Sequence, residues 1–136
     1  MTELAGKKQV VAAIVERDGR FLLGKRSPHK RSAPHYWCPI CGSIEAGELE
    51  AQAVVREVRE EAGLAVSAVE KVAECDTHDG TAIIHWWRAV PLDAAPARLA
   101  NEEHSELRWV TLAELRALDP VFPEDVAIFE RVSIGR

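Results

Sequence analysis

The chain has no apolar run approaching the ~20 residues that a bilayer-spanning helix needs. Its first residues, Met1 to Gly6, are too polar to read as a secretory signal. Membrane and secreted classes are therefore set aside. There is no basic excess either. The 17 Lys and Arg face 22 Asp and Glu, for a net charge of −5. Non-specific nucleic-acid binding depends on cations that displace phosphate counterions, so it is not expected here. A small phosphorylated substrate stays open, because a bound metal can reverse the local field. Cysteine is scarce. Cys38, Cys41 and Cys75 cannot all pair within one chain, so reduced thiols and a cytoplasmic protein are expected rather than a disulfide scaffold. Internal repeats, low-complexity tracts and linkers are missing too. The 136 residues, 47% of them hydrophobic, predict one domain over 1–136, monomeric or homodimeric.

What is present begins with a hairpin. Gln9 to Glu16 is apolar and β-branched, Asp18-Gly19 supplies a turn pair suited to positive φ, and Arg20 to Gly24 returns. Arg26 to His35 reads as a basic loop inside an acidic protein, and Arg26 is a candidate for a rim that meets phosphates. Leu49 to Ala62 predicts a helix with an apolar stripe of Ala51, Val54, Val55, Val58 and Ala62, ended by Gly63. A β region follows: Leu64 to Asp76, a turn at His78-Asp79-Gly80, then Thr81 to Val90. Leu107 to Val110 reads as a short strand. Thr111 to Glu114 fits a capping box for a short helix, and Pro123-Glu124-Asp125 opens a last one. The elements do not alternate as βαβ units, which predicts an α/β protein whose helices pack on a mixed sheet.

The chemistry concentrates between Gly42 and Leu64. Glu57 and Glu61 lie four apart on the predicted helix and so share a face, and Glu60 joins the same edge. Clustered like charges repel, but they suit a hard divalent cation. Mg²⁺ favours one or two carboxylates together with waters and substrate phosphates. Gly42 and Gly47 bracket the loop before the helix, where glycine allows close backbone approach and free N–H groups favour anions.

This segment resembles the Nudix box. Gly42, Glu48, Arg56, Glu57, Val58, Glu60, Glu61, Gly63 and Leu64 fill every specified position of that motif. Glu106 to Leu115 resembles the family's closing strand and helix. The resemblance implies an α/β/α sandwich with a mixed β-sheet and a hydrolase of a nucleoside diphosphate linked to another group. By the same resemblance, Glu57, Glu60 and Glu61 would hold Mg²⁺ or Mn²⁺, with the Cys41 carbonyl as a further ligand. Arg56 would orient a catalytic glutamate, and Glu48 would support the loop–helix pairing. Glu57 is the expected general base, with Glu102, Glu103 and Glu106 as alternatives. The short chain favours a MutT-like nucleoside triphosphate pyrophosphohydrolase. Gly42, Trp37 and Arg26 are candidate substrate contacts, Trp37 by stacking on a base.

Four other readings compete. Cys38-Pro39-Ile40-Cys41 has thioredoxin-type spacing, but no helix starts at Cys41 to stabilise a thiolate. A zinc site from His35, Cys38 and Cys41 lacks a second ligand pair. Trp37 to Glu48 also resembles isopentenyl diphosphate isomerases, relatives with a catalytic cysteine. Here Ser43 follows Cys41-Gly42 where those enzymes carry His, and Gln9 to Leu23 contains no histidine. A non-catalytic nucleotide-binding module on the same scaffold would be expected to lose box carboxylates, and none is lost. Trp86 and Trp87 should point to opposite faces of a strand, and His85 should be a satisfied buried imidazole.

Overall fold

A computed structural model describes residues 6–134. Strand β1 (Lys8–Arg17) turns into β2 (Arg20–Arg26) through Asp18 at φ 52° and Gly19 at φ 76°. Both turn residues take positive φ, the geometry whose twist suits a two-residue hairpin. Two short strands follow, β3 (Trp37–Cys38) and β4 (Ile40–Ser43), then helix α1 (Glu50–Ala62). Strands β5 (Val66–Asp76), β6 (Ala82–Pro91) and β7 (His104–Val110) lead into helices α2 (Leu112–Ala117) and α3 (Pro123–Ile134).

The seven strands form a mixed sheet ordered β3-β2-β1-β6-β5, with β4 also on β1 and β7 also on β2. β1 runs parallel to β6 and antiparallel to β2 and β4. Its apolar run is buried on both faces, as a central strand requires. Val11, Ala13 and Val15 face α1 and pack with Val54, Val58 and Ala62. Ala12 and Ile14 face the other way, onto Leu115 of α2 and Phe129 of α3. Helices thus cover both faces, giving the α/β/α sandwich. Each fully buried Val or Leu in these layers contributes ~1.5–3 kcal/mol.

Local signals placed most boundaries. Gly63 caps α1 at φ 67°, and its N–H donates to the Arg59 carbonyl. Thr111 Oγ1 accepts from the Glu114 N–H while Glu114 accepts from the Thr111 N–H, the expected capping box. Trp86 and Trp87 do point to opposite layers. Buried His85 is satisfied by Gln9 at 2.7 Å and Lys71 at 2.9 Å. β3 and β4 lie between the basic loop and the box, where the sequence suggested no strand.

Candidate active site

The site is built where β4 meets α1. Gly42 lies within β4, opposite Val11, rather than in a turn. Its missing side chain has a different reason: a Cβ there would fall on the Glu57 carboxylate. Gly47 is the true turn glycine, at φ 77°. The loop it serves is tied to the helix by Glu48, whose Oε1 accepts from the Glu45 N–H at 3.0 Å.

Arg56 is the hub. Its guanidinium donates to both Glu48 oxygens at 2.7 and 2.9 Å, to Glu57 Oε1 at 2.7 Å, to Glu60 Oε1 at 3.1 Å and to the Ser43 carbonyl at 2.9 Å. One planar fork therefore joins the loop, the strand and two box carboxylates, which a point-charge Lys could not do. The same bonds hold Glu48 down to about 2 and keep Arg56 well above its usual range.

The three box carboxylates have unlike surroundings. Glu60 is half exposed and turned toward Arg56. Glu57 is mostly covered. Glu61 is buried, its side chain only 2% exposed. Burial, then the neighbouring Glu57 carboxylate, pushes Glu61 well above the usual carboxylate range. Glu61 Oε1 lies 2.7 Å from Nε2 of His104, while Oε2 is buried with no hydrogen-bond partner. Leaving such an atom unpaired costs ~1–3 kcal/mol, which a cation would offset. No three His, Cys, Asp or Glu side chains converge as a ready-made cage among the described residues. The donor set nonetheless suits a hard cation that keeps waters and substrate phosphates in its shell.

Beside these residues opens a cavity of about 640 Å³. That volume is within the ~300–1,000 Å³ range of small-molecule sites. Arg56, Glu57 and Glu60 line it from α1, and Cys41 and Gly42 line it from β4. The N-terminus of α1 does not line it, so the free N–H groups expected to favour an anion lie elsewhere. Arg26 lines the cavity, its Nε donating to the Ser32 carbonyl. Lys30 joins it from the same loop, paired with Glu103. Among the alternative bases only Glu103 reaches the cavity. Glu106 is occupied by Arg108 on β7, and Glu102 is exposed outside it.

Trp37 departs from expectation. It is buried in the core with Arg108 packed 4.7 Å over its ring, and it does not line the cavity. Phe122 lines it, together with Trp86 and His78, and is stacked on Tyr36 at 4.6 Å and His78 at 4.7 Å. Below it, at the start of α3, is Asp125, which the sequence suggested only as a helix-dipole acid. Burial, then the charge of Glu124, raises it to about 7. Cys41 lines the cavity with a thiol pushed well above its usual range by Cys38 and by burial. It therefore stays a thiol, and the three cysteines are free. His104, Lys30 and Asp125 were the residues that sequence reasoning missed. Only Lys30 carried a signal, as part of the basic loop.

Comparison with known proteins gives the family of the chain. The NUDIX domain model matches residues 6–132. The chain is 35% identical over 124 residues to the CTP pyrophosphohydrolase of Escherichia coli K12, covering 90% of this chain and 88% of that one. It is 31% identical to the nucleoside triphosphatase NudI of Enterobacter sp. 638, covering 83% and 88%. The solution structure of the E. coli ORF135 protein superposes with a TM-score of 0.71 at 33% identity, over 95% of this chain and 91% of that one. The MutT protein of Methanosarcina mazei Go1 shares the fold with a TM-score of 0.81 at 23% identity, over 95% and 94%. The chain belongs to the NUDIX domain family and is a Nudix hydrolase, an enzyme of diphosphate bonds.

Proposed function

We propose that this chain is a cytoplasmic, Mg²⁺- or Mn²⁺-dependent pyrophosphohydrolase of nucleoside triphosphates. The observation that carries it is the cavity itself, whose lining combines the Glu57 and Glu60 carboxylates, the Arg26 and Lys30 cations, the Phe122 ring and the Asp125 carboxyl. Glu57, Glu60 and Glu61 would hold the cation, with the Cys41 carbonyl as a further oxygen donor. A bound divalent cation neutralises a diphosphate and lowers the pKa of its water. Arg56 fixes the Glu57 carboxylate from one side, and Gly42 leaves room for it on the other. Arg26 and Lys30 offer positive charge to the phosphates.

Hydrolysis adds water across one phosphoanhydride bond. The water oxygen bonds to phosphorus, the bridging P–O bond breaks, and the leaving phosphate group carries away the electron pair. We assign Glu57 to receive the water proton, because Arg56 holds it in place from within the cavity wall. Glu103, paired with Lys30, is the one of the alternative bases that lines the cavity, and it serves as the control. Phe122, held by its stacks on Tyr36 and His78, offers an apolar ring edge to a base, and Asp125 a polar group for it.

The relatives named for CTP and for nucleoside triphosphates support a triphosphate substrate. No helix among the described residues is long and apolar enough to cross a membrane. A panel of nucleoside triphosphates, nucleoside-diphosphate sugars and dinucleoside polyphosphates tests the reading, with phosphate and pyrophosphate measured separately. Pyrophosphate and a nucleoside monophosphate from a triphosphate are expected. Cleavage confined to the sugar or dinucleoside compounds would overturn the substrate class.

A further inference from the structure

The Glu61 side chain is buried on α1, whose residues Arg56, Glu57 and Glu60 line the cavity, and its Oε1 meets His104. His104 opens β7, 43 positions away in the chain. Both side chains are almost fully buried, at 3% and 2% exposed, with Nε2 and Oε1 2.7 Å apart. The imidazole is held from behind by a second device. Gly24 of β2 lies against it, and a Cβ at Gly24 would fall on the ring. Two positions on neighbouring strands are thus committed to placing one ring against one carboxyl oxygen.

We propose that His104 is a positioning residue for the cation site. Its Nε2–H donates to Glu61 Oε1, fixes the side-chain torsions of Glu61 and so commits Oε2 to the cation. The warrant is geometric. A Glu side chain has three rotatable torsions, and a ligand oxygen must be placed to within a few tenths of an ångström to serve a small hard cation. Oε2 is the oxygen without a partner, and Glu57 neighbours the same carboxyl group. One hydrogen bond to Oε1 therefore decides where the other oxygen points. Partners of this kind typically change metal affinity by ~10–100-fold when removed. Gly24 is part of the same arrangement, since any side chain there would displace the ring.

This inference rests on Glu61 being a cation ligand, so the experiment separates the two claims. Mn²⁺ binding to the nucleotide-free protein is measured directly by electron paramagnetic resonance for the parent, Glu61→Gln, His104→Gln and His104→Asn. Gln places an amide N–H where Nε2 of the imidazole lies, whereas Asn stops about one bond short. Melting curves accompany each variant. Expected are Mn²⁺ affinity within about threefold of the parent for His104→Gln and a loss of about tenfold or more for His104→Asn. Should Asn not fold, His104→Met fills the space without a donor and takes its place in the comparison. Equal affinities for Gln and for the variant lacking the donor, whether both high or both low, would overturn the positioning role. Parental affinity in Glu61→Gln would instead remove Glu61 from the cation site, and the inference with it.

Discussion

The Glu57 carboxylate on α1 occupies the space that a side chain at Gly42 on β4 would need. The glycine that opens the Nudix box is thus part of the carboxylate's placement. Gly42 is not at positive φ, so alanine suits its backbone, and the clash falls on the end of a flexible side chain. Gly42→Ala should therefore leave stability within about 1 kcal/mol of the parent. It should lower kcat by on the order of a hundredfold, the usual result of an ångström of misplacement. Denaturant melts and steady-state kinetics check both halves, and a large loss of stability with kcat intact would contradict the placement.

Arg56→Lys keeps the charge and deletes the fork. A Lys cannot bond Glu48, Glu57 and the Ser43 carbonyl together from the same position. The expected cost is about 2–3 kcal/mol of unfolding free energy, because charge-assisted bonds on a mostly buried group are lost. A larger loss in kcat than in KM should accompany it. Urea unfolding and the kcat-to-KM split read the two effects.

Local signals in the chain made much of this legible. Asp18-Gly19 fixed the first turn, Thr111 and Glu114 capped α2, and Gly63 ended α1, because each depends on neighbours within four residues. Glu57, Glu60 and Glu61 were legible from helical spacing. The unlike burial of the three was not, because it depends on what β7 and β4 bring against the helix. Gly42 looked like a turn glycine for the same reason. Trp37 looked available for stacking, but β3 pairs with β2 and turns it into the core under Arg108. Pro39 and the shortness of β3 and β4 hid both strands. Asp125 read as a helix-start acid because nothing local signals the cavity beneath it.

Asp125 makes stability depend on pH with a definite sign. Its carboxyl is raised from 3.8 to about 7 in the fold, so between these values the folded state binds more protons than the unfolded one. The contribution is present below the unfolded pKa and is lost as pH rises through about 7. Asp125→Asn should abolish that slope. The variant should gain about 1–2 kcal/mol over the parent at pH 8 relative to the difference at pH 4. Thermal or urea melts across pH 4–8 read it, and parallel curves for the two proteins would contradict it.

Cys41→Ser keeps the main-chain carbonyl and removes the thiol. A thiol held protonated by Cys38 and by burial is a poor acid–base group near neutrality. Hydrolysis should stay within about threefold of the parent, under ~1 kcal/mol in barrier. Isopentenyl diphosphate should undergo no isomer exchange with either protein. Thiol-dependent exchange without nucleotide cleavage would favour the isomerase reading instead.

Cation dependence tests the central claim most directly. Parent protein is stripped with chelator, assayed for pyrophosphate release from CTP and other nucleoside triphosphates, and assayed again after Mg²⁺ or Mn²⁺ in excess of chelator. Turnover should vanish in chelator and return with the cation in the parent, while Glu57→Gln stays inactive and folded throughout. Full turnover in excess chelator would contradict the account.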